Sequence, residues 1–320
     1  MKVLVTGGAG FIGSNLTDAL VARGDQVRVL DNFSTGHEAN LAAVAQRIEL
    51  VRADLRDAAA VKAACVGVDV VFHEGAMPSV PRSVDDPATS FAVNAMGTLN
   101  VLLGAKECGV KRVVYAASSS AYGDTAVLPK REDMLQQPQS PYAADKVHGE
   151  NLCRVFTRVY GLECVALRYF NVYGPRQRPD SAYAAVIPKF IDALLRGEAA
   201  RIDGDGGQSR DFTFVRDVVE ANLLAAVAPK APGQVMNIGA GGRIDLLTLL
   251  REIAAATGVP ARANHGPDRA GDVRDSQADI SLAQRILGYN PNTPLSTGLK
   301  ATVDWFLAQR APVENERKSS

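Results

Sequence analysis

Residues 2–16 read KVLVTGGAGFIGSNL. A short apolar run, Lys2 to Thr6, is followed at once by Gly7, Gly10 and Gly13, spaced three apart, and then by the start of a helical stretch. Glycine permits a tight turn, lets backbone N–H groups approach a pyrophosphate, and lets helix pack close to strand. A helix N-terminus directly after the turn adds a favourable dipole for phosphate. Three glycines alone say little. Set between a strand and a helix, they predict a dinucleotide-binding turn.

The same rhythm continues through the first half of the chain. Residues 26–30, 68–72, 111–117 and 163–169 read as further buried strands, with helical stretches over 12–22, 57–64, 88–107 and 142–160. Strand–helix repetition of this kind predicts an α/β fold, a doubly wound parallel sheet covered on both faces. The second strand ends at Asp31, where a carboxylate can accept from ribose hydroxyls and would repel a 2′-phosphate, so NAD is favoured over NADP. The alternative is that Asp31 only opens the turn DNFSTG. Asp54, after a third strand, is a candidate partner for the adenine, with helix capping as the competing role. Beyond Tyr169 a Pro-, Gly- and Arg-rich segment feeds a smaller unit, and VMNIG (235–239) resembles a strand rejoining the first. The expected division is 1–170 plus about 211–240 for the dinucleotide domain, 171–210 and 241–310 for a smaller α/β substrate domain, and 311–320 as a flexible tail.

Composition limits the partners. The 320 residues are 47% hydrophobic and 22% charged, as in ordinary globular chains. Lys plus Arg and Asp plus Glu both total 35, so nothing favours nucleic acid as a partner. The four cysteines are scattered, with no metal-ligand spacing, and read as buried thiols in a reducing compartment. No metal site is expected. With neither a leader-like start nor an apolar run judged long enough for a bilayer, the expected location is cytoplasmic.

The chemistry is concentrated in SPYAADK, residues 140–146. Tyr142 and Lys146 stand four apart, which stacks them on one helix face. They are either a solvated face or a phenol whose pKa a cation lowers, so that it can take a proton. The glycine turn, SSSAYG after the fifth strand, and Tyr-x-x-x-Lys together resemble the extended short-chain dehydrogenase/reductases, and within them the nucleotide-sugar 4-epimerases. The resemblance covers about Lys2 to Trp305. It implies a Rossmann-type NAD domain, a UDP-sugar substrate, and a Ser118, Tyr142, Lys146 triad. Tyr142 would take the proton of the sugar 4-hydroxyl while hydride passes from C4 to NAD; the 4-keto sugar then turns over and takes the hydride back on its other face.

By the same resemblance, Phe11 and Ile12 join the glycines at the pyrophosphate. Asn32, Ser34, Thr35, Gly36, Leu55, Gly75, Ala76 and Asn94 line the cofactor, with Phe170 near the nicotinamide. Ser119, Ser120, Asn171, Ala185 and Val186 fall beside the substrate, Arg210 and Arg269 on its diphosphate, and Asp272 on the uridine ribose. Arg210 has a surface ion pair as its alternative reading. Ser276 falls at a gatekeeper position where a small side chain admits a 2-acetamido group, unless it is an ordinary loop serine. That favours UDP-GlcNAc/UDP-GalNAc, with UDP-glucose/UDP-galactose not rejected. Ser119 and Ser120 stand where related dehydratases carry an Asp-Glu pair, so dehydration is not expected.

One departure stands out: the family commonly has His-x-Ala-Ala after the fourth strand, and this chain has HEGA, with Glu74 and Gly75. His73 and His148 are read as structural. The alternatives are a UDP-glucuronate 4-epimerase, a net dehydrogenase releasing NADH, and a non-catalytic NAD-binding regulator. A homodimer is implied, paired through a four-helix bundle in which Ala92, Ala95, Leu99 and Leu103 would serve, unless that stripe faces the sheet.

Overall fold

The structure is a computed structural model describing residues 1–179, 185–267 and 274–317, with side chains as far as Arg310. Six strands, β1 (Lys2–Thr6), β2 (Gln26–Asp31), β3 (Ile48–Arg52), β4 (Val70–His73), β5 (Arg112–Ser118) and β6 (Glu163–Tyr169), share one sheet with a later strand, Val235–Ile238. The order across the sheet is Val235–Ile238, β6, β5, β4, β1, β2, β3, and every pairing is parallel. The winding reverses between β1 and β4, which opens a crevice at the carboxyl ends of those strands.

Alternation along each strand builds two cores. Val3 and Val5 face one side with Val27, Val29 and Leu16, while Leu4 faces the other with Leu30, Val71 and Val113. The helices are α1 (Phe11–Ala22), α2 (Ala58–Cys65), α3 (Val80–Asp85), α4 (Pro87–Phe91), α5 (Gly97–Glu107), α6 (Pro141–Tyr160), α7 (Val186–Leu195), α8 (Val215–Ala225), α9 (Leu246–Thr257), α10 (Ser281–Leu287) and α11 (Leu295–Arg317). A third core gathers Ile187, Phe190 and Ile191 of α7 with Leu249, Leu250 and Ile253 of α9 and Leu299, Val303 and Phe306 of α11.

The helix expected over 88–107 is one run in three parts, because a π-helical turn, Ala92–Met96, separates α4 from α5. The run Pro87–Glu107 is long and apolar enough, by length and composition, to cross a membrane, contrary to the expectation that no stretch is. Half of it is buried inside the protein, as suits a core helix covering the sheet. The tail expected to be loose from residue 311 instead continues the backbone of α11 to Arg317.

Candidate active site and cofactor cleft

The glycine turn fits a pyrophosphate. Gly7 has φ +68°, and a Cβ there would lie 2.6 Å from Gly75 Cα, so the turn and the segment after β4 touch backbone to backbone. A Cβ on Gly13 would strike the Gly7 carbonyl. Gly10, at the N-cap of α1, makes no side-chain cap, whereas Asp57, Ser140 and Asp245 cap α2, α6 and α9. The first amides of α1, on Phe11 and Ile12, thus await an acceptor, and an anion there meets N–H groups and the positive end of the helix dipole.

Asp31 is buried, its Oδ2 accepting from Ala9 N at 2.9 Å and its Oδ1 from Phe33 N at 2.8 Å. It therefore does open the DNFSTG turn, and it ties that turn to the glycines. Asn40 Nδ2 and His37 N both donate to Ala9 O, wrapping Gly36 against Ala9. Asn32, Ser34 and Thr35 stand exposed at the rim. Asp54 does not cap α2, a task that Asp57 performs. Its carboxylate pairs with Arg56 and accepts from Asn32 Nδ2 at 2.8 Å, and the Arg56 hydrogen bond holds its pKa well below the usual range.

Tyr142 and Lys146 sit in the first turns of α6, started by the Ser140 cap and Pro141. Lys146 is buried and donates to Ala116 O of β5 at 2.8 Å, which puts Nζ 5.8 Å from the centre of the Tyr142 ring. Ser118 lies near enough to the Tyr142 hydroxyl to hold its pKa down, and the Ser118 Oγ accepts from Ser120 N at 3.2 Å and Ser120 Oγ at 2.8 Å. Ser119 and Ser120 open a short 3-10 turn beside them. The three triad candidates thus converge. Burial pushes the Tyr142 phenol up to about 12 and the Lys146 ammonium down to about 8.

His73 is fully buried between Thr6 Oγ1 at 2.7 Å and Thr98 Oγ1 at 3.0 Å, and burial pushes it down to about 3. It is a structural, neutral imidazole. His148 is exposed beside the Phe91 ring. Asn94, in the π-helical turn, is buried with its amide on the Met77 peptide, Oδ1 accepting at 2.7 Å and Nδ2 donating at 3.2 Å. It fastens the segment carrying Glu74, Gly75 and Ala76, whose other wall is Leu55, 3.0 Å from where a Gly75 Cβ would be. Phe170 is buried and packs with Tyr122 and Ala278.

On the substrate side, Asn171, at φ +31°, donates from Nδ2 to Ser276 Oγ and to Asp211 O, both at 3.1 Å. Ser276 N bonds Ser209 O at 3.0 Å, next to Arg210, whose Nη1 donates to the carbonyls of Ser209 and Arg274. Asn171, Arg210 and Ser276 are therefore one cluster. Ala185 caps α7 at an exposed position and Val186 begins it. Arg269 and Asp272 lie outside the described residues. Sequence reasoning passed over Asp211, whose carboxylate accepts from Ala240, Gly241 and Ala278 N–H groups and so joins three segments behind this cluster. It also passed over Tyr169, which donates to Glu74, and Asn222, which donates to Tyr169; the HEGA departure was the available signal.

Comparison with known proteins agrees with this geometry. The model of the NAD dependent epimerase/dehydratase family matches residues 3–239. A UDP-glucose 4-epimerase of Mycolicibacterium smegmatis is 42% identical over 310 residues, which cover 96% of this chain and 98% of that one. The solved UDP-N-acetylglucosamine 4-epimerase of Methanobrevibacter ruminantium, in complex with UDP-N-acetylmuramic acid, has a TM-score of 0.93 at 38% identity, over 96% of this chain and 98% of that one. The UDP-glucuronic acid 4-epimerase of Bacillus cereus, in complex with UDP-glucuronic acid and NAD, has a TM-score of 0.89 at 33% identity, over 97% and 100%. Since the family match runs from the first strand of the sheet to its last, and these relatives align nearly end to end, the chain belongs to the NAD dependent epimerase/dehydratase family.

Proposed function

We propose that the protein is a UDP-sugar 4-epimerase that inverts C4 of a UDP-hexose through a 4-keto sugar. The observation that carries this is Lys146, held on Ala116 O with its Nζ 5.8 Å from the centre of the Tyr142 ring, beside a turn shaped for a dinucleotide. When bound, NAD supplies the hydride acceptor and its return. Gly7, Gly10, Phe11, Ile12 and Gly13 hold its pyrophosphate, and Asp31 its adenosine ribose through lone pairs its two amide bonds leave unused. Tyr142 accepts the proton of the 4-hydroxyl and gives it back, Ser118 orients that proton, and Lys146 supplies the neighbouring positive charge. Burial works against the phenolate, and the positive ring of NAD, when bound, would favour it.

The sugar is proposed to be UDP-GlcNAc/UDP-GalNAc, with plain UDP-hexoses also accepted. Ser276 is small and its hydroxyl is taken by Asn171, which supports room for an acetamido group without selecting against its absence. Arg210, with Arg269 by resemblance, grips the diphosphate bidentately, and Asp272 meets the uridine ribose. Exposed Phe91, Met96 and Leu103 on the α4–α5 run, with Val155 and Val159 on α6, support a homodimer through these helices. The expected stripe divides, since Ala95 is buried and only Leu103 of its four members is exposed.

The test is to supply UDP-GlcNAc, UDP-glucose and UDP-glucuronate separately and follow products by NMR. Conversion of the first two is expected. Conversion of glucuronate alone overturns the sugar assignment in favour of a uronate epimerase, and net release of NADH overturns the epimerase reading.

A further inference from the structure

The phenol of Tyr142 is placed by its backbone, and one backbone contact of Tyr142 comes from outside α6. In the first turn of this helix Pro141 has no N–H, Ser140 Oγ accepts from Ala143 N at 3.2 Å, and Ser140 O accepts from Ala144 N at 3.0 Å. The local cap thus leaves the Tyr142 amide without an acceptor inside the helix. Ser83 supplies one: its Oγ accepts from Tyr142 N at 3.0 Å, across 59 positions of sequence.

Ser83 lies in α3 and is fully buried. Its hydroxyl donates its own proton to Val80 O at 2.7 Å, which leaves the oxygen's lone pairs for the Tyr142 amide. Further along, Ser90 Oγ of α4 donates to Asp145 Oδ2 at 2.6 Å and accepts from Asn94 Nδ2 at 3.3 Å. Asn94 in turn clasps the Met77 peptide. The stretch from Met77 to Asn94 is therefore a brace, fastened to the segment after β4 and to the tyrosine helix at both Tyr142 and Asp145. With Lys146 on Ala116 O, the first turns of α6 are fixed from β5 by one bond and from α3 and α4 by two.

We propose that Ser83 is a positioning residue for the base, setting through the Tyr142 amide how far the phenol stands from the reacting sugar hydroxyl. The inference rests on the proposed role of Tyr142. Without the Ser83 hydroxyl the Tyr142 N–H loses its acceptor, and the first turn of α6 shifts to satisfy it. Proton transfer needs heavy atoms about 2.6–3.2 Å apart, and a misplacement of about 1 Å costs up to about a hundredfold in rate. A smaller shift leaves sugar and dinucleotide bound and slows the chemical step. A serine that only stabilised the helix would lower stability and leave that step alone.

The test is Ser83→Ala in the NAD-loaded protein. Turnover is measured with UDP-GlcNAc, UDP-glucose or UDP-glucuronate, whichever is converted fastest, carrying hydrogen or deuterium at C4. The expected result is kcat lower by about tenfold, KM within about twofold, NAD content unchanged, and a deuterium effect on kcat at least as large as in the unsubstituted protein. Ser83→Cys, close in size and a weaker acceptor, should fall between the two. An unchanged kcat in Ser83→Ala, or a kcat that falls together with the deuterium effect, overturns the proposal. If Ser83→Ala does not fold, Ser83→Cys carries the kinetics, and hydrogen exchange on the unsubstituted protein decides the contact. The Tyr142 N–H is expected to be protected, and exchange at the rate of an open amide overturns the proposal. Turnover persisting in Tyr142→Phe removes the base and this inference with it; an inactive Tyr142→Phe beside an unimpaired Ser83→Ala removes this inference alone.

Discussion

His73 stands one residue before Glu74, and its surroundings keep it a neutral imidazole. Gly75 N donates to Thr6 Oγ1, and Thr98 Oγ1 donates to Asn94 O, so the partners are consistent with a proton on Nε2 and an acceptor at Nδ1. In the unfolded chain the imidazole titrates near its ordinary 6.5, while the folded protein resists protonation until about 3. The unfolded state therefore binds more protons throughout that window, and folding stability falls as pH drops below 6.5. Acidifying from pH 7 to pH 5 should cost about 2 kcal/mol through this residue. Urea midpoints measured at both values should show a smaller loss in His73→Gln; an unchanged pH slope would contradict the assignment.

The helix α6 carries Tyr142 and Lys146 and, beyond the Lys146–Ala116 bond, is held to the sheet further along. Glu150 joins Arg168 of β6, whose guanidinium also stacks 4.7 Å from the centre of the Tyr122 ring. One residue earlier, Gly149 lies so near Tyr115 that a Cβ would collide with its Oη and Cζ. Alanine is the better helix former, so an exposed glycine at this place would gain from the change. Here Gly149→Ala should instead destabilise by about 1–3 kcal/mol, because the Tyr115 ring is buried and cannot retreat. It should also lower kcat by about tenfold with KM little changed, by shifting α6 against β5. Thermal unfolding and steady-state kinetics on the one variant read both effects. The features legible in the sequence share this local character: the glycine turn and the Tyr142/Lys146 spacing each lie within a few residues. Tyr169 meets Glu74 across 95 positions and Asn171 meets Ser276 across 105, and no local pattern encodes such pairings. Phe170 likewise packs with Ala278, far along the chain.

Among the described residues, several exposed apolar side chains lie on the α4–α5 run and on α6. Phe91 is 48% exposed, Met96 45%, Leu103 38%, Val155 48% and Val159 63%. A second copy presenting the same two helices would cover them isologously. Leu103→Asp combined with Val159→Asp should halve the mass measured by light scattering and leave the fold intact by circular dichroism. An undiminished mass would move the interface elsewhere.

The strand Val235–Ile238 belongs to the dinucleotide sheet by its pairing with β6, yet the chain reaches it only after passing through α7 and α8. Tyr122 Oη then donates to Asn237 Oδ1 at 2.6 Å, and Asn237 N to Glu132 at 2.8 Å, locking the strand onto the loops that follow β5. During synthesis, therefore, β6 leaves the ribosome with one flank bare, and its unpaired amides and carbonyls stay open to stray pairing until this late strand emerges. A nascent chain halted before residue 235 already has its phosphate turn and its tyrosine, but not the border that closes the sheet behind them.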